Sequence, residues 1–167
     1  MNAFVVIAFA VLSASAAEFP LSADNSFGLK TCLREPFKDL RQNLQTEMVG
    51  AAVGALEELN SEDFVDKVEE FVNEAMSLLN TTISKTAAAF NDCRSGNVPP
   101  LCFMKVGAGM TYSMTKTVGQ IALNIPKYFS PKDARTAAQY AMKFTPLAID
   151  GVARASTTFI ETARLCF

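Results

Sequence analysis

Apolar residues recur at steps of three and four residues in four long segments of the chain. Such spacing places them on one face of an α-helix, which has 3.6 residues per turn. The clearest of these segments extends from Phe64 to Phe90. No segment sustains the alternation of apolar and polar residues that indicates a half-buried β-strand. The pattern therefore predicts an all-α protein of four amphipathic helices.

The first two predicted helices are bounded by residues that favour helix ends. Pro36 is a residue type tolerated in a first helical turn, so it predicts the start of the first helix, which continues to about Glu58. Ser61, followed by two acidic residues, predicts the N-terminus of the second helix. This helix is expected to end near Cys93, before a stretch that contains a glycine and two prolines.

The last two predicted helices have equally clear limits. The third is expected to begin at Leu101 and to stop at Pro126, because proline interrupts the helical hydrogen bonds. Ser130 and Pro131 are the residue types preferred at an N-cap and at the first helical position. They predict the start of the fourth helix, which continues to Cys166.

The N-terminal segment predicts export. Residues 1–17 carry an apolar run from Ala3 to Leu12 followed by small residues, as in a secretory signal peptide. Residues 18–31 are rich in turn-forming types and predict an extended arm. The apolar run is too short to span a bilayer, and later candidates are interrupted by charges or are too short, so no transmembrane anchor is expected. We expect a secreted, extracellular protein with one helical domain at 32–167.

Four cysteines, at positions 32, 93, 102 and 166, are expected to form two disulfides in an exported chain. Short connections make consecutive helices antiparallel, which gathers all four cysteines at one end of a bundle. Two pairings are geometrically reasonable. In the first, Cys32–Cys93 and Cys102–Cys166 would each close one helical hairpin. In the second, Cys93–Cys102 would close the connecting loop and Cys32–Cys166 would close the whole chain. Both halves repeat the order cysteine, helix, capped turn, helix, cysteine, which favours the first pairing. The predicted fold is a four-helix bundle made of two disulfide-stapled antiparallel hairpins, 32–93 and 102–166.

The composition argues against catalysis. The chain has no histidine, the commonest general base and metal ligand, so a Ser–His nucleophile is impossible. Cysteines held in disulfides are not nucleophiles. The acidic residues of the second helix lack the spacing of a calcium loop and are interpreted as a solvated face. We expect no catalytic residues, no metal site, no cofactor and no enzymatic activity.

Charge is divided unequally between the two halves of the chain. Residues 18–98 carry 14 acidic and 7 basic side chains, a net charge of −7, and residues 99–167 carry 3 acidic and 8 basic side chains, a net charge of +5. One interpretation is a polarised surface that steers a charged partner or mediates head-to-tail self-association. The other is that the two halves neutralise each other within the fold. No basic run is interleaved with aromatic residues, so nucleic-acid binding is not expected.

Methionine and phenylalanine residues of the last two helices suggest an apolar site. Pro146 is expected to kink the fourth helix, and a kinked helix beside flexible methionines can leave a pocket for an apolar ligand. The alternative is an ordinary core in which methionine fills gaps. The candidate ligand-binding residues are Phe103, Met110, Met114, Met142 and Phe144.

The leading functional hypothesis is therefore a non-enzymatic carrier of a hydrophobic small molecule or lipid inside the bundle. The alternative is an extracellular interaction or structural protein that acts through its surface or by self-association. Asn80 begins an Asn-Thr-Thr glycosylation sequon. Its position, about 160° around the helix from Phe64, predicts that Asn80 faces solvent.

Overall fold

The computed structural model describes residues 29–59, 67–93 and 99–166. Four α-helices and short 3-10 segments account for nearly all of these residues, and the described ranges contain no strand. The predicted signal peptide, most of the predicted arm and the Ser61 cap lie outside the described residues. The helices are α1 (Leu29–Leu59), α2 (Val68–Cys93), α3 (Pro99–Asn124) and α4 (Ala134–Ala163).

The start of α1 differs from the prediction. The helix begins at Leu29, seven residues before Pro36, so the last residues of the predicted arm are helical. Proline removes one backbone hydrogen bond from this early part of the helix. Burial of Leu33 in the core and the disulfide at Cys32 hold the preceding turn in place and offset that loss.

The later helix limits agree with the prediction to within a few residues. A 3-10 segment, Ile125–Tyr128, follows α3 and contains the proline that ends it. A second one, Pro131–Asp133, leads into α4 after Ser130. A third, Arg164–Cys166, follows α4 and carries the last cysteine.

The helices form an antiparallel bundle in which each packs against its neighbours in the chain and α4 returns to pack against α1. The interface between α1 and α4 is the most extensive. Buried residues of α4 at this level include Ala148, Gly151 and Ala155, which let the two helices approach closely. Arg154 of α4 also pairs with Glu47 of α1 at 2.6 Å. The four-helix bundle predicted from the sequence is confirmed.

Aromatic side chains occupy the two ends of the core. At the cysteine end, Phe37, Phe90, Phe103 and Phe159 pack with ring centroids 4.7 to 6.0 Å apart. At the opposite end, Phe71, Tyr128, Tyr140 and Phe144 form a second cluster with centroids 5.0 to 6.1 Å apart. Aliphatic and methionine side chains fill most of the region between them, together with a few buried polar side chains such as Ser156.

The disulfide pairing corrects the prediction. Cys32 is bonded to Cys166 and Cys93 to Cys102, with Cα atoms 5.8 and 5.4 Å apart. The favoured pairing within each hairpin is wrong, and the alternative pairing is the one that forms. The physical reason is proximity: Cys93 ends α2 where α3 begins, and Cys32 and Cys166 stand at the end of the most extensive helix interface. One disulfide therefore joins the start of α1 to the segment that follows α4, and the other joins the end of α2 to the start of α3.

Candidate interaction surface

The five residues predicted to line a ligand pocket do not converge on one site. Phe103, Met110, Met114 and Phe144 are buried, whereas Met142 is 74% exposed. Residues two positions apart on a helix point about 200° away from each other, so Met142 and Phe144 cannot both face the core. The prediction that Met142 belongs to an interior wall is wrong.

The four buried candidates are part of the packed core. Phe103 belongs to the aromatic cluster at the cysteine end and Phe144 to the cluster at the opposite end. Between these ends, Met114 accepts a hydrogen bond from the Ser156 hydroxyl at 3.7 Å. An apolar ligand in this interior would have to displace side chains that already contact one another.

A surface groove of about 300 Å³ lies elsewhere, between α1 and α4. Its floor contains the buried side chains of Leu40 and Phe159. Asp39, Asn43 and Thr162 contribute polar groups to its lining. It contains none of the predicted ligand-binding residues.

Glu74 organises the end of the bundle that is opposite to the cysteines. Its carboxylate accepts hydrogen bonds from Lys127 at 2.5 Å, from Asn124 at 3.3 Å and from the Tyr128 hydroxyl. Hydrogen bonds from Lys127 and Tyr128 lower the pKa of Glu74. Burial, followed by the contact with Glu74, raises the pKa of Tyr128. The Glu74 carboxylate therefore joins α2 to the segment that follows α3.

Metal-binding and modification sites gain little support from the geometry. In the ranges that the structure describes, no group of three or more acidic or cysteine side chains is placed to hold a metal ion. Asn80 lies within α2, is partly buried, and has an Oδ1 atom without a hydrogen-bond partner among the described residues. The side chain of Asn80 has intermediate exposure, and its glycosylation stays a prediction.

Large apolar side chains are exposed on one half of the molecule. Every large hydrophobic residue that is exposed within the described ranges belongs to the second half of the chain. The described parts of α1 and α2 expose none. The exposed set is Leu101, Met104, Tyr112, Leu123, Met142, Leu147, Ile149 and Leu165.

Four of these residues form a strip along the outside of α3. Leu101, Met104, Tyr112 and Leu123 fall within an arc of about 100°, given 100° of rotation per residue. The strip is about 33 Å long from Leu101 to Leu123 at 1.5 Å per residue. Exposed Ala108 and Gly119 fall within the same arc, and Lys105 lies at its margin, at the same angle as Leu123.

Two further exposed residues continue this surface onto α4. Ser156 and Ile160 mark the edge of α4 that lies beside α3, because they contact Met114 and approach Gly107. Residues seven or eleven positions apart lie within about 20° of each other around a helix. Ile149 is seven residues before Ser156 and eleven before Ile160, so it lies on this edge. Met142 is seven residues before Ile149 and lies on the same edge. We call Leu101, Met104, Tyr112, Leu123, Met142 and Ile149 the outer α3–α4 surface.

Basic side chains accompany the strip. Residues 93–132 contain no aspartate or glutamate. Lys105 and Lys116 are exposed, and they are eleven residues apart, which brings them to within about 20° of each other on the helix. Neither forms an ion pair with a residue that the structure describes. The outer α3–α4 surface is therefore apolar with a cationic edge.

Sequence reasoning misses this surface because apolar character alone assigns Met110, Met114 and Met142 to one interior wall and does not separate the inner side of a helix from its outer side. The absence of acidic residues from 93–132 is the signal that separates the outer side of α3 from an ordinary solvated face. No helix in the described ranges is long and apolar enough to cross a membrane. No family model, curated protein or solved structure matches this chain.

Proposed function

We propose that this chain is a secreted, non-enzymatic interaction protein that binds its partner through the outer α3–α4 surface. The observation that carries the proposal is the confinement of exposed large hydrophobic side chains to the second half of the chain. Single exposed apolar residues are ordinary on protein surfaces, whereas an apolar group collected on one side indicates an interaction site.

Two features support export and a binding role. The two disulfides are of the kind that persists in oxidising compartments, and the apolar segment near the N-terminus has the composition of a signal peptide. The chain has no histidine, and the carboxylates of Glu47 and Glu74 are engaged by basic side chains. These features favour binding over acid–base catalysis.

The surface is better supported than an interior ligand pocket. A ligand bound inside the bundle would have to displace side chains of the packed core. These are the buried candidates Phe103, Met110, Met114 and Phe144. The outer α3–α4 surface needs no rearrangement, because its side chains are exposed already. Binding there releases water from apolar area, which is the main favourable term in protein association.

The test compares two leucines of equal exposure. Leu123, within the surface, and Leu165, beside the last cysteine, are both 80% exposed. Labelled wild-type protein, Leu123→Gln and Leu165→Gln are incubated with cultured eukaryotic cells, and the protein retained at the cell surface is measured. Self-association of each protein is followed by sedimentation velocity.

We expect Leu123→Gln to lower retention or self-association, while Leu165→Gln behaves like the wild type. Both variants should unfold at the wild-type temperature because each side chain is exposed. Equal behaviour of the two variants in both measurements would contradict the proposed function.

A further inference from the structure

We propose that the partner of the outer α3–α4 surface is an anionic phospholipid surface, an inference that rests on the proposed function above. The bundle would lie on its side, with α3 parallel to the lipid plane. Leu101, Met104, Tyr112 and Leu123 would enter the boundary between headgroups and acyl chains. Helices that bind in this way bury an apolar face by about 5–10 Å and carry basic residues beside it.

The charge of α3 matches such a partner. Lys105 and Lys116 stand about 16 Å apart along one line of the helix, next to the apolar strip. Their long apolar stems can lie along the boundary while the ammonium groups reach phosphates. Lys127 is excluded from this role because it is bound to Glu74. Two lysines are thus available without breaking an ion pair within the described structure.

The opposite side of the bundle gives the protein an orientation. Residues 29–59 and 67–93, which contain α1 and α2, carry 9 acidic and 6 basic side chains, a net charge of −3. Glu69 and Glu70 of α2 are exposed, as are Glu35 and Asp39 of α1. An anionic surface repels this side and attracts α3, so the field of the whole molecule turns the apolar strip toward the lipid.

A second copy of the chain fits the surface less well. A two-fold interface between two α3 strips would bring Lys105 and Lys116 against the same lysines of the other copy. A head-to-tail interface would satisfy the charges by using α1 or α2 of the other copy. However, the described parts of those helices expose no large hydrophobic residue to cover the strip. An anionic bilayer can bind the apolar strip and the two lysines at the same time.

The experiment measures binding of the full secreted chain to vesicles. Vesicles of phosphatidylcholine with phosphatidylserine are compared with vesicles of phosphatidylcholine alone, at low and high salt, by co-sedimentation. Each lysine near an anionic surface contributes about fivefold to binding, so Lys105→Gln with Lys116→Gln should weaken it about 25-fold. The matched control is Lys67→Gln with Lys85→Gln, two exposed lysines of which the first directly precedes α2 and the second lies within it.

A fluorescent reporter tests the orientation. The chain has no tryptophan, so Tyr112→Trp introduces a single probe on the strip and Leu165→Trp a single probe away from it. We expect a blue shift of the Tyr112→Trp emission with phosphatidylserine vesicles and a smaller change for Leu165→Trp. The shift should decrease at high salt because screening weakens the lysine contribution.

The outcomes separate this inference from the proposed function. Anionic-selective binding that is lost in the Lys105/Lys116 variant, with a blue shift at position 112, supports the inference. Self-association that depends on Leu123, without vesicle binding, overturns the lipid partner and leaves the proposed function standing. Equal binding to both kinds of vesicle, or no vesicle binding, also overturns the lipid partner. If Leu123→Gln changes neither vesicle binding, cell retention nor self-association, both proposals fail.

Discussion

Gly151 of α4 lies directly against Glu47 of α1, where a Cβ atom on the glycine would stand 2.7 Å from the Cβ of Glu47. The Cβ of Glu47 is fixed to its backbone, so the contact cannot be relieved by turning a side chain. We expect Gly151→Ala to push the two helices apart at their most extensive interface. The expected loss is about 1–3 kcal/mol in the free energy of unfolding, measured by urea denaturation.

Gly109→Ala is the matched control for this prediction. Gly109 is also within a helix, but a Cβ atom there would meet nothing within 4 Å. Alanine has the higher helix propensity, so this variant should gain about 0.5–1 kcal/mol. An unchanged stability of Gly151→Ala would contradict the close approach of α1 and α4, and a loss of stability in Gly109→Ala would contradict the open space beside that residue.

The disulfide pairing predicts a specific peptide map. Trypsin cleaves after Arg94, so Cys93 and Cys102 fall in different peptides, TAAAFNDCR and SGNVPPLCFMK. Cys32 falls in TCLR and Cys166 in LCF. Mass spectrometry without reduction should find the first two peptides joined and the last two joined. A TCLR peptide joined to TAAAFNDCR would show the pairing within hairpins instead.

Loss of the two disulfides should have unequal effects on stability. Cys32–Cys166 closes a span of 134 residues and Cys93–Cys102 a span of 9 residues. In the chain-entropy model these loops stabilise the fold by about 5 and about 2.6 kcal/mol respectively. The double variants Cys32→Ser/Cys166→Ser and Cys93→Ser/Cys102→Ser are compared by urea denaturation. A smaller loss for the first variant would contradict the prediction.

The contact between Glu74 and Tyr128 predicts a pH-dependent stability. The pKa of Glu74 is lowered in the folded protein, so the unfolded chain takes up the proton first as the pH falls. The stabilisation is complete above the ordinary glutamate pKa of 4.5 and disappears as the pH falls through the lower folded value. Glu74→Gln should therefore be less stable than the wild type at pH 7, with the difference shrinking in acid.

Urea denaturation of Glu74→Gln and the wild type across this pH range measures the effect. Tyr128→Phe tests the hydroxyl separately, and losing one hydrogen bond to a charged group should cost about 1–2 kcal/mol at pH 7. A constant difference between Glu74→Gln and the wild type at all pH values would contradict the assignment.

Phe144 and Met142 should respond very differently to truncation. Phe144 is fully buried between Phe71 and Tyr140, so Phe144→Ala should cost about 3–5 kcal/mol. Met142 is exposed, and Met142→Ala should change stability by less than about 0.5 kcal/mol. Thermal and urea denaturation of both variants give the comparison. A large loss in Met142→Ala would show that this side chain is packed after all.

Much of the fold was predictable because helix formation is governed by local spacing. The apolar residues of α2, including Phe71, Leu79 and Phe90, recur at helical steps and are buried as that spacing requires. Pro126 and Ser130 mark the end of α3 and the approach to α4 within a few residues of their predicted positions. The antiparallel order then follows from short connections, which also places the four cysteines at one end.

The disulfide partners and the exposed surface could not be predicted from the sequence in the same way. The two plausible pairings of Cys32, Cys93, Cys102 and Cys166 were both within reach of the chain. Formation of the extensive α1–α4 interface decided between them by bringing Cys32 beside Cys166. Likewise, Met142 and Met114 are both apolar methionines, and only the packing of neighbouring helices exposes the first and buries the second.

The sequence by itself determined the four helices, their approximate limits and the end at which the cysteines meet, because these depend on residue spacing and short connections. The tertiary structure decided which helix pair packs most extensively, which cysteines bond and which apolar side chains remain outside. These features depend on contacts between residues far apart in the chain, and local periodicity carries no information about those contacts.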